Sequence, residues 1–276
     1  MSVPAPSARS RFRQVVSQPD SGFDLALAAL LVAAEEYHQL SPELYLRRLD
    51  MLAERVHDRL ADETAGPIVL QELSRVLFID EGFRGNIDAY YDPRNSFLND
   101  VLDRRLGIPI TLCIIFLEVG WRLGLPLEGV KFPGHFLVRY RGEAIPVLVD
   151  PFQNGEIRFE DQAQDLLDRV YGGGSVPMRD EYLQPATRRD ILVRLLLNLK
   201  GIYLNAHDDA RALSVIDRIL LIRPDAMEEI RDRGMLFARV GRHDEAILEL
   251  ERYLSGVPDA PDATRVRLLL TELRRQ

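Results

Sequence analysis

Apolar residues recur at helical spacing through most of this chain, and at strand spacing only in one short central block. Asp24 stands where it can cap a helix over 25–38, a stretch rich in alanine and leucine. Ser41-Pro42 opens a second helix, carried on by Leu44, Leu46, Leu49, Leu52, Val56 and Leu60. Pro67 opens a third over 68–78, ended by Gly82 and Gly85. Asn95 is placed to cap a helix over 96–105. After Gly107-Ile108-Pro109 the run 110–123 is apolar on nearly every side, which predicts a central buried helix stopped by Gly124. Strands are expected over 129–132, 135–140 and 145–149, with a hairpin turn at Arg141-Gly142-Glu143. Residues 161–171 read as helix. Gly172-Gly173-Gly174 then breaks the pattern and begins a linker that holds Pro177 and Pro185. Residues 1–20 show no periodicity and read as a flexible tail.

From Asp190 onward the pattern is helical and it repeats. Ala212 and Ala246 lie 34 apart, as do Leu220 and Leu254, and Pro224-Asp225-Ala226 and Pro258-Asp259-Ala260. Small residues inside and proline at the end of a 34-residue period are the mark of tetratricopeptide repeats. Such helix pairs stack into a superhelix with a groove. The expected division is a globular domain over 21–186 and a repeat domain over 187–276.

Charge narrows the function classes. The chain carries 35 Lys/Arg against 43 Asp/Glu, a net of -8. Residues 187–276 hold 16 against 15, so the preceding part carries 19 against 28. No part is strongly basic, which argues against direct binding of nucleic acid. The longest apolar run, 25–34, is too short to span a bilayer, and no secretory leader is visible. A single cysteine excludes an intrachain disulfide and fits the reducing cytoplasm.

The candidate chemistry lies in Cys113, His135 and Asp150. A thiol, an imidazole and a carboxylate in that order can form a nucleophile, a base and an orienting group. Residues 107–151 resemble the transglutaminase-like (papain-like) fold. Leu123-Gly124-Leu125-Pro126 matches its turn after the central helix, Gly134-His135-Phe136 its histidine strand, and Asp150-Pro151 its aspartate. The resemblance implies a cysteine about 15 residues before the turn glycine, where this chain has Pro109. Cys113 comes one helical turn later. Four residues of helix move it about 6 Å along the axis, whereas base and nucleophile must approach within about 3 Å. Cys113 therefore reads as a small buried hydrophobe, and His135 with Asp150 as a remnant pair. The alternative is a cysteine hydrolase or acyl-transferase using Cys113, His135 and Asp150.

Asp92-Pro93-Arg94-Asn95-Ser96, Gly107-Ile108-Pro109-Ile110-Thr111 and Pro133-Gly134-His135-Phe136-Leu137-Val138 are similar to motifs of a bacterial family described as regulators of sirC expression. That resemblance implies a transglutaminase-like core followed by tetratricopeptide repeats, over nearly all of the chain after residue 20. The fold class expected is α+β: a mostly helical core with a small antiparallel sheet, then an all-α array. The function expected is a non-catalytic interaction or regulatory protein that takes a protein or peptide in the repeat groove. No cofactor is expected. Glu35/His38 and Glu54/His57 have the Glu-x-x-His spacing of di-iron helices, but their register on adjacent helices is too poor for a metal site. The glycine triplet lacks the Lys-Ser/Thr of a phosphate loop. Trp121 near the end of the central helix is expected in core or interface.

Overall fold

The computed structural model describes residues 7–60, 63–142, 146–174 and 176–275, and the chain divides into two compact units, 1–195 and 196–276. In the first unit, α1 (Ala8–Val16), α2 (Leu25–Ala33), α3 (Pro42–Leu60) and α4 (Gly66–Arg75) precede a π turn at Val76–Asp80. Then come β1 (Arg84–Gly85), α5 (Leu98–Arg104), β2 (Leu106–Gly107) and α6 (Pro109–Arg122). The strands β3 (Leu127–Val130), β4 (Leu137–Tyr140), β5 (Val147–Asp150) and β6 (Glu156–Phe159) are followed by α7 (Ala163–Tyr171), β7 (Pro185–Ala186) and α8 (Arg188–Asn205). The boundary between the units falls within α8.

The expected central helix is α6. Proline at its first position needs no hydrogen-bond acceptor, and every residue from Pro109 to Gly120 is buried. Gly124 ends it with φ 74°: Leu125 N–H bonds Gly120 O at 3.0 Å and Gly124 N–H bonds Trp121 O at 3.1 Å, a Schellman stop. Trp121 is half-buried, donates its indole N–H to Leu127 O at 2.9 Å, and carries the Arg188 guanidinium 4.3 Å from its ring centre.

The main sheet has the order β6-β5-β4-β3-β7, antiparallel throughout. Alternation divides its faces. Leu137 and Leu148 pack with Ala163, Leu166 and Leu167 of α7. Leu127, Val138 and Val149 point the other way, toward α6, where Gly120 leaves room for Leu127. A two-residue parallel ladder joins β1 to β2.

Several expectations change. Residues 8–16 of the expected tail form a helix, because Phe12 and Val16 find burial and Arg9 pairs with Glu35 at 2.7 Å. The helix expected over 25–38 stops at Ala33, and Tyr37 Oη is drawn to Asp100 at 2.5 Å. Asn95 does not cap α5. Its side chain is buried in a loop instead, and α5 begins after Phe97. The linker after the glycines is held against α7: Met178 N–H bonds Gln164 Oε1 at 2.8 Å, and Pro185–Ala186 completes the sheet as β7. The hairpin turn at Arg141-Gly142-Glu143 falls partly outside the described residues, from Glu143 on.

The second unit completes α8 and adds α9 (Asp209–Ile222), α10 (Met227–Arg239), α11 (His243–Gly256) and α12 (Ala263–Leu273). The 34-residue period is visible in the boundaries: α9 and α11 begin and end 34 apart, and α10 and α12 end 34 apart. The turns repeat too, with His207 at φ 54° and Gly241 at φ 76° in equivalent places. Gly234 permits close packing of α10 on α11, since a Cβ there would lie 2.8 Å from Leu250 Cγ.

Candidate functional site

The three residues with candidate chemistry lie on the turn before β4, at the end of β5, and inside α6. His135 sits just before the strand expected to carry it. Gly134, at φ 67°, turns the chain, and His135 N–H bonds Phe132 O at 3.0 Å. Asp150 closes β5 and is buried. Its Oδ1 accepts the N–H groups of Phe152 and Gln153 at 3.0 and 3.3 Å, which caps the 3₁₀ turn Pro151–Gln153. Its Oδ2 lies 2.9 Å from His135 Nε2. Both carboxylate oxygens are thus in use, and the ring is oriented as in a catalytic dyad.

Among the described residues Cys113 makes no hydrogen bond to either of them. It is 0 % exposed, in the second turn of α6, and its thiol donates to the Phe136 carbonyl at 3.3 Å. Among the described residues this is its one hydrogen bond, and the acceptor is the backbone of the residue after His135 rather than the ring. Burial, and secondarily the negative charge of Asp150, push the thiol well above its ordinary pKa. A nucleophilic cysteine needs the opposite shift, because the thiolate reacts. Pro109, at the mouth of α6, offers no nucleophilic atom.

Sequence reading missed the residues that support the histidine. Phe152 meets its ring edge-to-face at 5.9 Å, and Tyr90 meets Phe152 at 6.1 Å. Gly85 is required there, since a Cβ on it would lie 2.5 Å from the Phe152 ring. The loop beneath is organised by Asn95, whose Nδ2 donates to Ala89 O at 2.7 Å and Tyr90 O at 3.2 Å. Asn86 Nδ2 donates to Asn95 Oδ1 at 2.9 Å, and Thr111 Oγ1 donates to Asn95 O at 2.8 Å. The motif at 92–96 and the motif at 107–111 are therefore two halves of one buried polar junction. Truncation by Asn95→Ala leaves several buried groups unpaired and is expected to cost about 2–4 kcal/mol in chemical denaturation, and Asn95→Asp is expected to be no milder, because it sets an acceptor against the two carbonyls.

Among the described residues no group of three His, Cys, Asp or Glu side chains is placed to hold an ion, and Glu35 is engaged by Arg9.

The second unit carries a groove of about 680 Å³. It is lined from α8, α10, α12 and the first residue of α11, His243, with Leu204, Met235, Leu268 and Leu273 supplying apolar surface. Asp232 lies near the middle of α10 and Arg265 in the first turn of α12, while Arg239 and Glu272 lie in the last turns of those helices. Leu268 is 63 % exposed.

Comparison with known proteins agrees with this architecture. The transglutaminase-like superfamily matches residues 43–197, and a tetratricopeptide repeat family matches residues 199–271. A UPF0162 protein of Xylella fastidiosa is 39% identical over 93% of this chain and 92% of its own length. A UPF0162 protein of Pseudomonas aeruginosa is 32% identical over 89% of each chain. Protein SirB1 of Salmonella typhimurium is 28% identical over 80% of this chain and 86% of its own. No solved structure matches.

Proposed function

The chain belongs to the UPF0162 family, on a transglutaminase-like core followed by tetratricopeptide repeats, and on that premise we propose that it is a non-catalytic interaction protein. The observation that carries this reading is the sealed thiol. Cys113 spends its proton on a backbone carbonyl, in a setting that opposes thiolate, and the helix mouth holds Pro109. His135 and Asp150 are then a remnant pair that locks the turn before β4 to the end of β5.

The working surface in this reading is the repeat groove. Its leucines and methionine suit an apolar-faced peptide or partner helix, and its acidic and basic groups can pair with charges that flank that face. The similarity to Protein SirB1 supports a regulatory setting, and we place the protein in the bacterial cytoplasm. No helix among the described residues is long and apolar enough to cross a membrane.

Two measurements test this. A photo-crosslinker at Leu268, in the groove, is expected to trap partner from a bacterial lysate, and one at Leu248, 65 % exposed and outside the groove lining, is not. Leu268→Glu is expected to abolish capture. Equal trapping at both positions would refute the groove. Hydrolysis or transamidation of a peptide by the purified chain, lost on His135→Ala, would restore the cysteine enzyme of the alternative reading.

A further inference from the structure

A second cavity, of about 150 Å³, lies in the first unit and is unrelated to the histidine pair. Three guanidinium groups converge on it. Arg48 and Arg55 stand seven residues apart on α3, and Arg105 follows α5. Arg48 Nη2 donates to Leu102 O at 2.8 Å, and Arg105 Nη1 donates to the same oxygen. Two like charges therefore share one neutral acceptor. Across the cavity, Glu81 accepts from Arg55 and, at 2.9 Å, from Arg105. Glu81 is the one carboxylate in the lining, and Arg48 finds its own partner, Asp103, outside it.

The donors keep N–H groups open to solvent, since the three side chains are about a third to a half exposed. Each guanidinium carries five N–H groups. Arg55 uses one of them, while Arg48 and Arg105 use two each. Arg105 ends α5 as its left-handed C-cap, at φ 62°, with its N–H on Val101 O. It lays the guanidinium 5.0 Å from the centre of the Phe83 ring. The remaining walls are apolar: Met51, Leu52, Phe83 and Leu102.

We propose that this cavity binds a single carboxylate carried on a small apolar body, such as a branched-chain acid or the last residue of a peptide ending in leucine. A planar carboxylate matches the guanidinium fork bidentately. The apolar walls take the hydrocarbon, in a space on the order of a benzene ring. Inorganic phosphate is the competing ligand for the guanidinium groups, but it would leave the apolar walls uncovered.

Isothermal titration of the full chain tests the site with defined probes. N-acetyl-leucine is expected to bind, and N-acetyl-leucinamide, which lacks the charge, is not. Arg55 is about half exposed and makes one bond, so Arg55→Gln is expected to fold normally and to weaken binding of the acid about tenfold or more. A short peptide ending in leucine, with and without C-terminal amidation, forms the second arm. Binding in either arm that depends on the carboxylate and on Arg55 supports the site, and the tighter arm identifies the source. Equal response to acid and amide, no binding at millimolar probe, tighter binding of inorganic phosphate, or an unchanged affinity in Arg55→Gln would each overturn the assignment.

Discussion

Replacing Lys200 with methionine is expected to destabilise the repeat unit by about 3–5 kcal/mol, more than any other single polar substitution there. The Lys200 ammonium lies 2.7 Å from Glu229 and 2.6 Å from Asp232, with Lys200 and Glu229 both buried. Methionine keeps the length and apolar stem but removes the charge that two carboxylates share. Asp232 retains Arg231 at 2.7 Å, whereas Glu229 has no other ion pair among the described residues, so the residual cost falls mainly on Glu229. Adding Glu229→Gln to Lys200→Met is therefore expected to recover part of the loss. The surface pair Arg242–Glu245 is the comparison: both partners are about half exposed, and Glu245→Gln, which leaves the Arg242 guanidinium on the Phe237 ring, is expected to leave the thermal transition unmoved. Thermal unfolding of the four proteins decides it. A Lys200→Met variant as stable as the parent would mean that the buried cluster contributes nothing net. Because Asp232 also lines the groove, the variant is further expected to weaken partner capture.

The second large effect concerns the thiol. Native Cys113 is expected to react with iodoacetamide at least about a hundredfold more slowly than free cysteine at neutral pH, and to react fully once the chain is unfolded in denaturant. Two causes act together. Burial denies access, and it also raises the pKa, so that little thiolate forms at neutral pH. The raised value fixes the sign of the pH dependence: reactivity climbs only well into the alkaline range, with no plateau near neutrality of the kind that a Cys–His ion pair produces. Cys113→Ala is expected to preserve the fold with a modest loss of stability, since it removes one sulfur and one weak hydrogen bond from a packed helix. Rapid, single-site alkylation of the native protein would contradict the sealed-thiol geometry and the non-catalytic reading built on it.

Much of the architecture was legible because its signals are local. Pro109 and Gly124 bracket α6, and both act within one helical turn of themselves. The pairing of His135 with Asp150 was implied by the resemblance to the transglutaminase-like fold, and the two groups do meet. The misreadings share a cause. Asn95 has the chemistry of a cap, yet its amide is committed to Asn86 and two carbonyls within the loop. Pro177 and Pro185 suggest a linker, but Gln164 and the edge of β3 hold that segment in place. Residues 8–16 lack a long apolar run, and their helix is secured by Glu35 and by burial of Phe12.

By itself, the sequence determined the 34-residue repeat, the central apolar helix and the displacement of sulfur by one turn from the helix mouth. Each follows from spacing along one segment, where rise per residue converts position directly into distance. Only the tertiary structure decided where the Cys113 proton goes, that Asp150 divides its two oxygens between a turn and a ring, and that three arginines from distant positions surround one small cavity. Those outcomes depend on which surfaces meet when elements far apart in the chain pack together, and no spacing within a segment encodes that choice.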